Sequence, residues 1–276
     1  MPREAEGRRA AVWAITSGKG GVGKTTLSLN LGIALSRLGK RVLLVDADLG
    51  LANVDILLGI SPELTLQDLL QGRATALDVI QEGPEGLTVL PSATGLAEAD
   101  AWRPEDTGRM AEELGRLERG FDLILIDTGA GISSKVIDFV LSADRMLAVA
   151  VPEPASIADA YAMVKVCRNQ RQNLDMGLIV NRARSPREAH ELHRKFSQIV
   201  DRFLGASVFR AGHVLEDLAV EQAARTQQPF VLSHPDSLAS RCISQLAQAL
   251  APQVMPQIGE PGLFDRLVGR VVETGI

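Results

Sequence analysis

The sequence is poor in cysteine, in long apolar runs and in net positive charge. Its two cysteines, Cys167 and Cys242, are too few for a disulfide scaffold, a four-cysteine zinc site or a four-thiolate cluster within one chain. No stretch approaches the roughly 18 consecutive apolar residues of a membrane span. Lys and Arg number 29 against 34 Asp and Glu, so the net charge is −5. A general nucleic-acid coat would need a basic surface, and direct DNA binding is therefore not expected.

Length and composition indicate a folded globular protein. The chain has 276 residues, of which 46% are hydrophobic and 23% charged, values typical of ordinary globular domains. This length suits one large domain or at most two small ones. The polar start, residues 1–9, lacks the apolar stretch of a secretory signal. We expect a cytoplasmic protein.

Short apolar runs alternate with longer amphipathic stretches along most of the chain. Runs such as 123–126 and 147–151 are apolar at consecutive positions, which is typical of strands buried on both faces of a parallel sheet. The predicted strands are 11–16, 41–46, 87–91, 121–127, 146–151, 177–181 and, less clearly, 206–210. The predicted helices are 25–38, 104–118, 133–141, 157–170, 186–203 and 216–227. This alternation predicts an α/β fold: a doubly wound, mainly parallel sheet with helices on both faces.

The two ends of the chain differ from this pattern. Residues 1–10 are predicted to form a short flexible lead before a domain that covers residues 11–250. Residues 251–262 contain three prolines and two glycines, which interrupt the helical pattern and predict a linker. Residues 263–276 follow as a separate C-terminal segment.

A glycine-rich loop follows the first predicted strand. Residues 17–26 read S-G-K-G-G-V-G-K-T-T and match G-x-x-x-x-G-K-[ST] at Gly18, Gly23, Lys24 and Thr25. Such glycines let successive backbone N–H groups turn toward a phosphate, and the following helix adds its positive dipole end. Lys24 is predicted to reach the β- and γ-phosphates, and the Thr25 hydroxyl is predicted to hold Mg²⁺. The remaining residues of this predicted phosphate loop are Lys19, Gly20, Gly21, Val22 and Thr26.

Carboxylates end two of the predicted strands, where ligands bind in open α/β sheets. Asp46 and Asp48 end one strand, and Asp127 ends another as in a Walker B motif. Phosphoryl transfer needs a carboxylate near Mg²⁺ and a group that positions the attacking water. Asp127 is predicted on the metal side, acting through a water. Asp46 either supports the metal shell or caps the next helix.

Lys19 places a second ammonium in the loop, which is more than a phosphate cradle requires. It is either a functional cation or an ordinary exposed lysine. The loop K-G-G-V-G-K-T that begins at Lys19 resembles the deviant Walker A motif of the MinD/ParA ATPases. The resemblance implies a slow, Mg²⁺-dependent ATPase that forms an ATP-sandwiched homodimer, with Lys19 reaching the partner subunit's nucleotide. It also implies that Asp48 activates water, while Lys19 and Lys24 stabilise charge on the transferred phosphoryl group.

Two further resemblances concern the base and the branch of the family. Asn181 and Arg182 resemble the family's V-N-R segment, whose Asn faces adenine, although Asn is also a common turn residue. The segments that begin at Asp48 and Glu153 resemble the FlhG/FleN branch, the regulators of polar flagellar number. This implies a FleQ-like transcription factor or an FlhF-like GTPase as partner, although residues 1–10 lack the D-Q-A-x-x-L-R core that activates FlhF. Division-site placement as by MinD and DNA or cargo partitioning as by ParA remain open.

The segment from Leu263 to Glu273 predicts a short amphipathic helix. An apolar stripe lies opposite Arg266 and Arg270 and consists of Leu263, Phe264, Leu267, Val268, Val271 and Val272. A basic amphipathic helix beyond a linker is typical of a reversible anchor on the inner face of the cytoplasmic membrane. Two copies in a dimer would bind the membrane more tightly than one, because binding of the first copy raises the effective concentration of the second at the surface. The alternative is that the helix packs onto its own domain.

Overall fold

The computed structural model describes residues 8–48, 54–64, 68–69, 72–91, 114–259 and 261–274. The strands are β1 (Arg8–Arg9), β2 (Ala11–Ser17), β3 (Val42–Ala47), β4 (Gln81–Glu82), β5 (Thr88–Leu90), β6 (Leu123–Ala130), β7 (Arg145–Ala150), β8 (Asp175–Ala183), β9 (Phe209–Leu215) and β10 (Gln257–Ile258). The α-helices are α1 (Lys24–Arg37), α2 (Val54–Leu58), α3 (Ala76–Val79), α4 (Ser134–Ser142), α5 (Pro154–Gln170), α6 (Pro186–Leu204), α7 (Leu218–Arg225), α8 (Phe230–Ser233), α9 (Leu238–Leu250) and α10 (Leu263–Thr274). Of the predicted helix 104–118, residues 104–113 lie outside the described residues, and 114–118 are helical.

Eight strands form one sheet in the order β4-β5-β3-β6-β2-β7-β8-β9. Every pair is parallel except β4 with β5 at one edge. The register places Asp46 of β3 opposite Asp127 of β6. The prediction of a mainly parallel, doubly wound sheet is therefore confirmed, and the carboxyl ends of its strands share one edge.

The sheet has an apolar core on each face. Leu123 and Leu125 of β6 belong to one core with helices α1, α7, α8 and α9. Ile124 and Ile126 belong to the other core with helices α4, α5, α6 and α10. Because neighbouring side chains point to opposite faces, a strand covered on both sides must be apolar at every position. Each such side chain contributes about 1.5–3 kcal/mol when fully buried.

The predicted helices and strands agree with the structure in part. Helix α6 begins after Ser185, whose hydroxyl accepts a hydrogen bond from the Glu188 N–H, and it ends at left-handed Gly205. These are standard helix-end signals, so this prediction is confirmed. The last sheet strand was predicted too early, at 206–210. It covers Phe209–Leu215, because an edge strand containing Gly212 and His213 has only a weak apolar pattern. Helix α9 was missed.

Segments near the two ends of the chain form a separate two-stranded sheet. Strand β1 pairs antiparallel with β10, with Arg8 opposite Ile258 and Arg9 opposite Gln257, so part of the predicted lead binds part of the predicted linker. Helix α10 is present, and its Leu263, Phe264 and Leu267 side chains are buried in the core beside α4. In this structure the helix therefore packs onto its own domain. Within the described ranges, no helix has both the length and the apolar character needed to cross a membrane.

Candidate nucleotide site

The turn between β2 and α1 has the shape that a phosphate loop needs. Gly23 adopts a left-handed conformation with φ of 84°, and a Cβ there would lie 2.6 Å from Nδ2 of Asn181. Gly18 packs so closely on the backbone of Asp159 that a Cβ would overlap it. Both positions therefore require glycine. Lys24 is the first residue of α1, and Thr25 and Thr26 follow in its first turn, where backbone N–H groups are free to bind an anion.

Lys24 and Asp127 form a buried ion pair beneath this loop. The Lys24 ammonium lies 2.9 Å from Oδ1 of Asp127, and the side chains are only 8% and 0% exposed. The Ser28 hydroxyl donates a hydrogen bond of 2.8 Å to the same oxygen. The other oxygen, Oδ2, is buried and has no hydrogen-bond partner among the described residues. A buried carboxylate oxygen without a partner is suited to a metal-bound water, so the residues present fit a magnesium–nucleotide complex.

Asp46 organises the backbone of the neighbouring loop. Its Oδ1 accepts a hydrogen bond of 3.1 Å from the Asp48 N–H, and its Oδ2 accepts one of 3.3 Å from the Val54 N–H. These two amides stand on either side of residues 49–53, which the structure does not describe. The contacts agree with the helix-capping alternative because Val54 is the first described residue of α2. A role of Asp46 in the metal shell stays a prediction.

Asp48 lies at the carboxyl end of β3, next to the end of β6. A Cβ built on Gly129 would lie 3.7 Å from its Oδ1, so the carboxylate reaches the chain just after Asp127. Asp48 is half-buried rather than sequestered. This placement suits a group that acts on a water near the phosphates.

Lys19 is exposed on the rim of the loop. Its ammonium lies 3.4 Å from Oε2 of Glu153, and the two side chains are 46% and 60% exposed. An ion pair this exposed contributes about 0–1 kcal/mol at most. The Lys19 ammonium is therefore free to exchange Glu153 for a stronger anionic partner at little cost.

A cavity of about 150 Å³ opens beside the loop. Asn181 lines it, and its Nδ2 donates a hydrogen bond of 2.7 Å to the Val22 carbonyl. This bond uses the donor end of the side chain, and the amide oxygen Oδ1 is an acceptor of the kind that suits the exocyclic amino group of adenine. Arg182 also lines the cavity, in a left-handed conformation with φ of 53°.

Sequence reasoning missed Glu216 and Asp217, which line the same cavity. Asp217 accepts hydrogen bonds of 2.9 Å from the Ala219 N–H and 3.0 Å from the Ala239 N–H, so it joins the first turns of α7 and α9. Partial burial acts to raise the pKa of Asp217, but these amides hold it below its ordinary value. An Asp directly before a helix is a local signal for helix capping. The second partner of Asp217, the Ala239 N–H, lies 22 residues further along the sequence and could not be predicted.

These features define the chain as a P-loop nucleotide-binding protein of the doubly wound α/β type. A family model described as the CobQ/CobB/MinD/ParA nucleotide binding domain matches residues 13–230. The chain belongs to this family, which confirms the resemblance to MinD/ParA proteins.

Individual relatives agree with this assignment. The antiactivator FleN of Pseudomonas aeruginosa is 38% identical over 262 residues, covering 95% of this chain and 93% of FleN. The cell division ATPase MinD of Pyrococcus furiosus superposes with a TM-score of 0.73 at 30% identity, covering 88% and 99% of the two chains. MinD of Pyrococcus horikoshii, solved in complex with Mg-ADP, gives a TM-score of 0.71 at 29% identity, covering 87% and 96%.

Proposed function

We propose that this protein is a Mg²⁺-dependent ATPase that switches between a monomer and an ATP-bound homodimer. The observation that carries the proposal is the buried Lys24–Asp127 pair beneath the glycine loop, with Oδ2 of Asp127 left without a partner among the described residues. The relation to a MinD solved with Mg-ADP supports the choice of nucleotide and metal. The position of Asn181 in the lining of the neighbouring cavity supports adenine as the base.

Each residue of the nucleotide site has a separate proposed role in ATP hydrolysis. With phosphates in the loop, Lys24 would turn from Asp127 to the phosphate oxygens, and Thr25 and Asp127 would hold Mg²⁺, Asp127 through a water. Mg²⁺ would supply positive charge that stabilises the phosphoryl group during transfer. Asp48 orients the attacking water. The reaction yields ADP and phosphate, and we propose slow turnover because hydrolysis serves to end the dimeric state rather than to supply a metabolite.

Lys19 is proposed to act across the dimer interface. Its Glu153 contact is weak, and its ammonium lies at the loop rim where a second copy would approach. We expect Lys19→Ala to bind ADP normally but to stay monomeric with ATP and Mg²⁺. Light scattering would measure the mass, with hydrolysis prevented by Asp48→Ala in every sample. Lys195→Ala, which removes an exposed lysine of α6, is the matched control. Dimerisation of Lys19→Ala at the control's ATP concentration would refute this role.

The biological output is proposed to be the number or placement of polar flagella. The 38% identity with FleN over nearly the whole chain supports this choice. The test is retention of purified candidate partners on the immobilised protein with ATP and with ADP. We expect a FleQ-like transcription factor to be retained in one nucleotide state and a MinC-like division protein to be retained in neither. Retention of the division protein alone would favour division-site placement instead.

Helix α10 is proposed to be a reversible membrane anchor whose docked position is the inactive state. The buried side chains Leu263, Phe264 and Leu267 are those that would face lipid, so docking and lipid binding exclude each other. Arg266 and Arg270 are also engaged, through ion pairs of 2.9 Å to Asp144 and 3.1 Å to Asp138. ATP-driven dimerisation is proposed to release the helix.

Phe264→Asp tests the anchor. Burying a phenylalanine side chain contributes about 2 kcal/mol, so we expect the ATP-bound dimer to lose at least about tenfold of its affinity for anionic phospholipid vesicles. Co-sedimentation with vesicles in ATP and Mg²⁺ would measure this. Leu77→Asp, which changes an exposed leucine of α3, is the control. Equal sedimentation of the two variants would count against α10 as the anchor.

A further inference from the structure

Glu118 is a buried carboxylate that the nucleotide site does not use. It lies at the end of the 114–118 helical stretch, directly beneath the start of α10, and is 1% exposed. Its Oε1 accepts a hydrogen bond of 3.1 Å from the Phe264 N–H, and a Cβ on Gly262 would lie only 2.6 Å from its Oε2. The docked helix therefore covers this carboxylate, and departure of the helix would return it to water.

Two arginines among the described residues act on Glu118 through their charges, Arg9 of β1 and Arg266 of α10. The nearby carboxylates on the same segments are Asp144, directly before β7, and Asp265 of α10. Both arginines bind the Asp144 carboxylate. Arg9 donates two hydrogen bonds to it, of 2.9 and 2.8 Å, and Arg266 donates one of 2.9 Å. Asp265 accepts a hydrogen bond from the Gly262 N–H. Among the described residues, no arginine hydrogen-bonds to Glu118, so its contacts are with backbone amides.

We infer that Glu118 couples the position of helix α10 to proton binding: docking of the helix favours the protonated carboxyl, and departure of the helix favours loss of the proton to water. Docking of the helix involves only residues of this chain and needs no lipid. The biological role of this coupling rests on the membrane association proposed above.

The balance of forces on Glu118 agrees with the geometry. Burial acts against its negative charge and is the largest influence. The Phe264 amide, the charges of Arg9 and Arg266 and the Leu263 amide favour the ionised form, but burial prevails and raises the pKa to about 7 from the ordinary 4.5. Since the docked state has the higher pKa, docking is strongest at low pH and weakens as pH rises through about 7. Between pH 6 and pH 8 the docking constant should fall about tenfold.

Amide hydrogen exchange of residues 263–270 measures docking without lipid. Protection is taken relative to an unstructured peptide of the same sequence, which cancels the intrinsic pH dependence of exchange. We expect protection to fall about tenfold from pH 6 to pH 8 in the ADP-bound protein. Glu118→Gln should show no such fall, because glutamine stays neutral and still accepts the amide. Glu191→Gln, at an exposed glutamate of α6, should behave as the unsubstituted chain. A flat profile in the unsubstituted chain, or an equal fall in Glu118→Gln, would overturn the inference.

A second measurement does not depend on a folded variant. Carbon-13 NMR of the unsubstituted full chain should show the Glu118 carboxyl titrating near pH 7, and a midpoint near its ordinary value would overturn the inference.

A vesicle-binding measurement distinguishes failure of the inference from failure of the membrane proposal. If exchange protection of residues 263–270 falls with pH but the protein never binds vesicles, the membrane proposal fails and the inference about Glu118 stands. If protection is flat while ATP-dependent vesicle binding occurs, the inference fails and the membrane proposal stands.

Discussion

Lys24→Ala is expected to lower ATP affinity at least about a hundredfold. The ammonium sits at the base of the glycine loop, 2.9 Å from Asp127, where it can turn to the entering phosphates. A hydrogen bond to a charged group contributes about 1.5–3 kcal/mol, so two such bonds to phosphate oxygens account for this loss. Titration calorimetry with ATP and Mg²⁺ would measure the affinity.

The same substitution should also weaken the fold. Asp127 would remain fully buried without its cation, and removing one partner of a buried ion pair costs about 3–5 kcal/mol. A Lys24→Ala/Asp127→Ala double variant is the control: it should recover part of the thermal stability but none of the ATP affinity. If folded Lys24→Ala binds ATP as tightly as the unsubstituted protein, the phosphate-loop assignment is wrong.

Asp48→Ala is expected to abolish turnover while preserving ATP binding and the dimer. Asp48 lies near Gly129, just after Asp127 in the chain, whereas the Lys24 ammonium binds Asp127 itself, so loss of Asp48 should spare the phosphate contacts. Removing a group that orients and activates water costs about 10²–10⁴-fold in rate. Phosphate release would measure turnover, and light scattering would measure a monomer with ADP and a persistent dimer with ATP and Mg²⁺.

Asp55→Ala is the matched control for Asp48→Ala. Asp55 is a partly exposed acid in the neighbouring helix α2, and its loss should leave turnover within about twofold, as for most surface substitutions. Unchanged phosphate release in Asp48→Ala, or rapid return of that variant to monomer while ATP remains, would contradict the proposed role.

The phosphate loop and most of the sheet follow from local sequence. The loop motif occupies consecutive residues, and the left-handed backbone of Gly23 requires glycine, whereas Gly18 is required by its close approach to Asp159. Residues 123–126 of β6 are apolar at consecutive positions because both faces of the sheet are covered there. Helix α6 carries its own start and stop residues. Each of these signals lies within one short segment, which is why the fold class could be predicted.

Contacts between distant segments could not be predicted in the same way. The pair of Lys24 with Asp127 spans 103 residues, and the second partner of Asp217 lies 22 residues away. The sequence left Asp46 between a role in the metal shell and helix capping, and its hydrogen bonds to the amides of Asp48 and Val54 became visible only in the folded chain. Such distances depend on how the strands are ordered and on which side chains face each other across the sheet.

Helix α10 shows most clearly what the sequence determines and what only the tertiary structure decides. By itself the sequence determined an amphipathic helix with one apolar stripe, but that stripe fits a lipid surface and a protein groove equally well. Only the tertiary structure decided that Leu263, Phe264 and Leu267 lie in the core, with Glu118 beneath the first turn and Asp144 and Asp138 binding its arginines. The physical reason is that apolar burial has no direction, whereas the charges that select a docking place come from segments far apart in the chain.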